Sequence, residues 1–341
     1  MLPALIDHED VNKLIMPGTS EIVGVQLSIP PGVRSNQDAL TQYGLKVTSG
    51  RALVHSFGVL PIIDGMTCTR AFYEYNPSKI GDRLNDPGPA SYKLRDVVIV
   101  AGHAHYYHFL AHHLPSFLLL ATAETDPAIC ATMAACPANL SGFLAQFMAQ
   151  AAAPRQSSLQ TLDYGVYDVE NVIFAARPNR ALTSVVGTEI VVPMILKQAG
   201  IADALREQGP VKLFVRRENH SLGRNLLNAA EIEAWFVARG FLSVNPGALS
   251  FQEQVILFSR ATHVAGVEGG ALINLMFAKH LRSVVMIAGP ATKGENFFHR
   301  IVKDRDVAFR TFYGQAESAE RSADYTFSRS ELDSLGSEMT A

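Results

Sequence analysis

Arg216-Arg217, with Arg224 further on, and the turn Glu268-Gly269-Gly270 are the residues whose chemistry is easiest to name. Guanidinium forks take phosphate oxygens in pairs. Two glycines at the start of a helix let a ligand come close to backbone N–H groups that have no intrahelical acceptor, at the positive end of the dipole. Together these features would clamp a diphosphate. Singly each is weak, because a Gly-Gly turn is more often plain turn chemistry and surface arginines are mostly just solvated. Lys279, His280 and Arg282 fall at the far end of the same helix, where cations complement the dipole, and read as structural.

A second constellation is Gly102-His-Ala-His-Tyr-Tyr-His-Phe-Leu-Ala-His-His-Leu-Pro115, which holds five histidines in eleven residues. On a helix His105, His108 and His112 share a face. An imidazole near the working pH can take a proton from a hydroxyl. His108 and His112, four apart, could instead grip a metal and serve a metal-dependent hydrolase. The bland reading leaves any one of them as a packed or exposed helix residue. No carboxylate lies nearby in sequence to complete a metal set.

Both groups need elements to aim them. Residues 97–101 form a short apolar run, as in a buried strand, and the histidines follow it. Residues 22–27, 52–59 and 167–175 also read as strands, and 188–208 as helical. Further on, residues 212–215 form a strand ending in the two arginines. A helix follows Asn228, with Glu231 three residues later, and ends at Gly240. Residues 241–244 form a strand. Ser250-Phe-Gln-Glu253 is a capping box that opens a helix. Residues 263–267 form a strand that leads into the Gly269-Gly270 turn and a helix over 271–280, and 283–288 form a further strand. This alternation predicts a doubly wound parallel sheet, whose ligands sit beyond the carboxyl ends of its strands. The arginines and the Gly-Gly turn share that edge.

The chain has 341 residues, 48% apolar and 18% charged, with a net charge of −3. The length suits two α/β domains. The charge provides no global field for nucleic acid, so any anion site must be local. Three cysteines without a C-x-x-C indicate neither a disulfide framework nor a structural zinc. The start lacks the pattern of a signal peptide, and no apolar run is long enough to span a bilayer. The expectation is a cytoplasmic protein, with peripheral contact to the inner face of the membrane.

The order Val215-Arg-Arg217…Arg224-x-x-x-Asn228…Glu231, then Leu249-Ser-Phe-x-Glu-Gln254, then Val264-x-Gly266-x-x-Gly-x-Ala-Leu-x-Asn274-Leu-x-Phe277, resembles glycosyltransferase family 61. The earlier His105-Tyr-Tyr-His-Phe-Leu-x-His-x-Leu-Pro115 is similar to the family's Asn-Tyr-Tyr-His-Phe-Leu-x-Asp/Glu-x-Leu-Pro-Arg. The resemblance covers roughly residues 97–289. It implies an α/β protein of GT-B-like architecture, with two Rossmann-like, doubly wound parallel-sheet domains. It also implies an inverting hexosyl- or pentosyltransferase of the capsular-polysaccharide or exopolysaccharide type, a nucleotide-sugar donor, a glycan or polysaccharide acceptor, no cofactor and no obligatory metal.

The expected domains are an acceptor-side domain over 1–185, a donor-binding domain over 186–315, and a polar, partly mobile tail over 316–341. Donor contacts are expected from Arg217, Arg224, Glu268, Gly269, Gly270, Ala271, Asn274 and Gln254, with catalysis from His112, His108 and His105. Two departures stand out. Glu268 replaces the family's usual histidine, and a carboxylate beside a diphosphate must be protonated or turned aside. His112 occupies the family's acidic position, where a histidine could act as the base. An inactive relative that still binds nucleotide-sugar is the remaining alternative.

Overall fold

The computed structural model of the protein describes residues 20–28, 39–55, 58–63, 66–67, 88–99, 106–108, 110, 132–137, 158–175, 192–193, 196, 209–218, 223–294, 297–303 and 305–339. The chain divides into two compact units: Met1–Leu182 with Glu189–Ala199, and Thr183–Thr188 with Gly200–Ala341.

The N-terminal unit holds an eight-stranded sheet: β1 (Ser20–Ser28), β2 (Ala39–His55), β3 (Gly58–Ile63), β4 (Met66–Thr67), β5 (Tyr92–Ile99), β6 (Thr132–Pro137), β7 (Ser158–Leu162) and β8 (Gly165–Ala175). The order is β4-β3-β2-β8-β5-β6-β7, with β1 also on β2. The strands expected over 22–27 and 167–175 are present. Where a wholly parallel sheet is expected, the described strands pair in both directions. β5 runs parallel to β8 and β6, and β6 to β7, whereas β2 is antiparallel to β1, β3 and β8. The physical reason is local. Only two residues separate β2 from β3, which fits a hairpin and leaves no room for a crossover helix. The run expected over 52–59 is shared between β2 and β3. The sheet carries a core that includes Leu45, Leu53, Leu94, Val97, Val169 and Phe174. Arg95 and Glu170, exposed neighbours on adjacent strands, pair at 2.6 Å. The described sheet of this unit is therefore mixed, part parallel and part antiparallel.

The C-terminal unit follows the expected pattern closely. β9 (Val211–Val215), β10 (Leu242–Val244), β11 (Ala261–Val267), β12 (Ser283–Ala288) and β13 (Ala308–Tyr313) form a wholly parallel sheet in the order β10-β9-β11-β12-β13. Leu213, Phe214 and Val215 are consecutive and all buried, so both faces are covered, as a parallel sheet requires. α1 (Ala229–Val237) buries Ile232, Trp235 and Phe236, and the Phe236 ring lies 5.0 Å from Phe214 and 5.1 Å from Phe241. α2 (Phe251–Ser259) opens with the capping box read from the sequence: Ser250 and Glu253 each bond the other's backbone N–H.

Three expectations fail here for identifiable reasons. The α-helix expected over 271–280 is a 3-10 helix, Gly270–Phe277. Leu272 to Phe277 are all buried, so packing and not intrinsic propensity sets its pitch. Asn228 does not cap α1 with its side chain; its amide is used elsewhere. The segment after 315, expected to be a partly mobile tail, is built into the core. Tyr325, Phe327, Leu332 and Leu335 are at most 1% exposed and join Phe214, Trp235 and Phe236. A second capping box, Ser328 with Glu331, opens the helix that carries the last two, whose described residues end at Met339. α3 (His299–Val302) therefore precedes α4 (Arg329–Met339) in chain order. Among the described residues no helix is long and apolar enough to cross a membrane. Leu335→Ala should lower unfolding free energy by ~2–5 kcal/mol. Urea denaturation of the full chain checks this, and an unshifted midpoint would mean the helix is not docked.

Candidate functional site

The strand order β10-β9-β11 means that the chain leaves β9 toward one side and returns on the other. The carboxyl ends of β9 and β11 therefore flank a topological switch point, where open α/β sheets bind ligands. Arg216 and Arg217 follow β9, and Glu268-Gly269-Gly270 follows β11.

Successive side chains of extended backbone point to opposite sides, and the two arginines diverge accordingly. Arg216 donates its backbone N–H to Val244 and turns its guanidinium toward Glu233, at 3.8 Å. Arg217 turns the other way, and its Nη1 donates to the Glu268 carbonyl at 2.9 Å. Two glycines permit this close fit. A Cβ on Gly266 would lie 2.8 Å from Val215 atoms, and one on Gly269 would lie 3.3 Å from Arg217 Cδ. Gly269 is extended, so it is the closeness of Arg217, and not backbone strain, that calls for glycine there.

Burial first, and then the charge of Arg224, push the Arg217 pKa below the ordinary arginine range; Tyr325 and Glu268 act in the opposite direction. The guanidinium stays charged at any physiological pH. The positive charge of Arg224 thus disfavours the charged form of Arg217. Among the described residues no hydrogen bond or ion pair satisfies the Arg224 guanidinium. Burial also raises the Tyr325 pKa, with Glu268 adding to the rise, so its phenol keeps its proton; the arginines oppose that rise.

Glu268 supplies its carbonyl, not its carboxylate, to Arg217. Its side chain is buried, and Oε2 accepts from the Thr292 hydroxyl at 2.9 Å. That hydroxyl also lies 2.9 Å from the Gly289 carbonyl. The carboxylate is thus directed to Thr292, while the carbonyl of the same residue meets Arg217. The first i→i+3 bond of the 3-10 helix runs from Leu272 N–H to the Gly269 carbonyl. The Gly270 and Ala271 N–H groups stand ahead of that ladder, at the half-buried turn beside Arg217.

Gln254 and Asn274 are placed differently. Both are buried, the Asn274 amide donates to Gln254 Oε1 at 2.9 Å, and Gln254 donates to the Leu249 carbonyl at 3.1 Å. Their amides tie the 3-10 helix to α2, a holding function that needs no ligand contact. Of the expected catalytic residues, His105 and His112 lie outside the described residues. His108 closes a single helical turn, Tyr106–His108, and its side chain is likewise outside what is described. Among the described residues no group of three His, Cys, Asp or Glu could hold a metal.

The family model of glycosyltransferase 61 matches residues 106–285, more than half of the chain. The chain belongs to glycosyltransferase family 61. No curated protein matches it. As a family 61 glycosyltransferase it uses a sugar donor and a glycan acceptor. Arg217, Arg224 and Glu268 lie inside the matched range, and Thr292 and Tyr325 lie beyond it.

Sequence reasoning did not find Thr292 or Tyr325. A signal existed for the second: Tyr325-Thr-Phe327 alternates like a strand and runs straight into Ser328-x-x-Glu331. Thr292→Val leaves the buried Glu268 carboxylate without its hydroxyl donor and should lower unfolding free energy by ~1–3 kcal/mol. Chemical denaturation at neutral pH measures it, and an unchanged midpoint would show that Thr292 does not hold the carboxylate.

Proposed function

We propose that this family 61 glycosyltransferase is an inverting, metal-independent enzyme of GT-B architecture. It moves a hexosyl or pentosyl group from a nucleoside-diphosphate donor to a hydroxyl of a glycan or polysaccharide, in the capsular or exopolysaccharide class. It works in the cytoplasm, on or near the inner face of the membrane. The observation that carries the reading is the pair of like-charged arginines at the switch point of a parallel sheet, one bonded to the backbone of a glycine turn.

The acceptor oxygen attacks the anomeric carbon on the face opposite the leaving group. The new C–O bond forms as the bond to the diphosphate breaks, and the configuration inverts. The acceptor's proton passes to an imidazole of the 105–112 segment, His112 first, with His108 as the other candidate and His105 as its neighbour in the cluster. Negative charge grows on the departing diphosphate. Arg217, Arg224 and the Gly270 and Ala271 N–H groups meet that charge, which stabilises the transition state more than the ground state. Two guanidinium groups supply the positive charge that a divalent cation would otherwise bring, and this supports the metal-independent reading. Gly269 keeps the turn open to Arg217, while Asn274 and Gln254 fix the helix behind it.

Arg217→Ala should weaken binding of the cognate nucleoside diphosphate at least ~tenfold, the loss expected for a charge-assisted hydrogen-bond donor. Titration calorimetry with UDP, GDP and CDP, in the presence of a chelator, reads this; equal affinity for wild type and variant removes the assignment. His112→Ala should cut the rate of transfer ~10²-fold or more with diphosphate affinity unchanged. Transfer at the wild-type rate would move the base elsewhere.

A further inference from the structure

The loop that bears Arg224 is unusual. Gly223 and Arg224 both have left-handed backbones, with φ of 78° and 61°. An arginine is strained in that region unless its surroundings hold it there. A Cβ on Gly223 would lie 1.9 Å from the Ser322 carbonyl oxygen, so only glycine fits.

What holds the loop is a stretch of chain about a hundred residues later. Arg224 N–H donates to the Ser322 carbonyl at 2.9 Å, and Asn225 N–H to Asp324 Oδ1 at 2.8 Å. Tyr325 N–H donates to the Asn225 carbonyl at 2.9 Å, and Leu227 N–H to the Tyr325 carbonyl at 2.8 Å. The Asn228 side chain then acts as a substitute peptide group. Its Nδ2 donates to the Phe327 carbonyl at 2.8 Å, and its Oδ1 accepts from Phe327 N–H at 3.1 Å. On its other side the same stretch pairs with the end of β13: Gln315 N–H donates to the Thr326 carbonyl, and Thr326 N–H to the Gln315 carbonyl. The Tyr325 ring lies between Gly289 and Gly314, where a Cβ on either would approach it to 3.3 and 2.5 Å. Residues 322–327 therefore cross the carboxyl edge of the sheet and staple the Arg224 loop to it. None of these residues falls inside the family match, which ends at 285.

We infer that residues 322–327 set the donor grip: Asp324 and Asn228 are positioning residues that hold Arg224 beside Arg217, and this family 61 enzyme uses its own C-terminal segment as part of its nucleoside-diphosphate site. The inference rests on the donor reading given above. Asp324 is exposed, so its substitution perturbs the loop without opening the core. Its carboxylate serves as an acceptor, a task the asparagine carbonyl can also perform.

The test uses the full chain and the nucleoside diphosphate that binds wild type most tightly. Asp324→Ala should raise its Kd and the donor KM about tenfold, with kcat within about threefold of wild type. Asp324→Asn should restore both. Amide exchange of Arg224, Asn225 and Leu227 should be slow in wild type and fast in Asp324→Ala, and this measurement also serves if the alanine variant is too unstable for kinetics. Arg217→Ala and Arg224→Ala are run beside it. If both arginine variants weaken binding while Asp324→Ala leaves Kd, KM and exchange unchanged, the positioning role is overturned and the donor reading stands. If Arg224→Ala binds like wild type while Arg217→Ala does not, the inference also fails, because the staple would then hold a residue the ligand does not use. If neither arginine variant loses affinity, it is the donor reading itself that fails.

Discussion

The positive charge of Arg224 acts on the half-buried Arg217 at the sheet edge, and among the described residues no hydrogen bond or ion pair satisfies the Arg224 guanidinium. Arg217 is half-buried beside Arg224, and both its burial and that neighbour lower its pKa. The Glu268 carboxylate accepts a hydrogen bond from Thr292. In a low-dielectric crevice like charges repel more strongly than in water, and a multiply charged anion relieves the repulsion with large gain. On the proposed reading, a bound diphosphate would relieve that repulsion, and more so as the leaving group takes on charge.

That constraint explains features of the sheet that would otherwise look incidental. Gly266 abuts Val215, Gly269 lies against the Arg217 stem, and Gly223 lies against the Ser322 carbonyl. Each removes a Cβ where two backbones, or a backbone and an arginine, must nearly touch. The amide pair Asn274–Gln254 and the hydroxyl of Thr292 act one step further out, fixing the helix and the carboxylate that border the clamp. Such buried polar groups are costly unless fully bonded, and here they are bonded to one another.

What was legible in the sequence follows from range. Features set by neighbours within about four residues were readable: the strand 212–215, the Ser250–Glu253 capping box and the glycine turn after β11. Features set by distant partners were not. Asn228 looks like a cap, but its amide is claimed by Phe327 from across the unit. The helix after Gly270 has sound α-helical composition, yet burial on nearly every side tightens it to a 3-10 helix. The segment after 315 is polar on average. Its few apolar residues, though, fall at strand and then helix spacing, and average polarity hides that pattern. In the N-terminal unit the strands over 22–27 and 167–175 were readable, but the direction of pairing was not, because it depends on how short the connections are.

At Glu268 the side chain and the backbone of one residue have separate partners. A carboxylate directly facing a diphosphate would oppose it, and a carboxylate directly facing Arg217 would neutralise the clamp. Turning the side chain to Thr292 avoids both, while the backbone carbonyl of the same residue still orients the Arg217 guanidinium. The main chain does the positioning and the side chain is kept out of the way, so the identity of residue 268 is set less by the ligand than by what Thr292 can hold. Thr292 lies beyond the family match, as does the segment that pins Arg224. The substitution inside the matched range and the supporting contacts outside it therefore belong to one arrangement. The anion grip in this chain is a property of the whole C-terminal sheet edge and not of the motif alone.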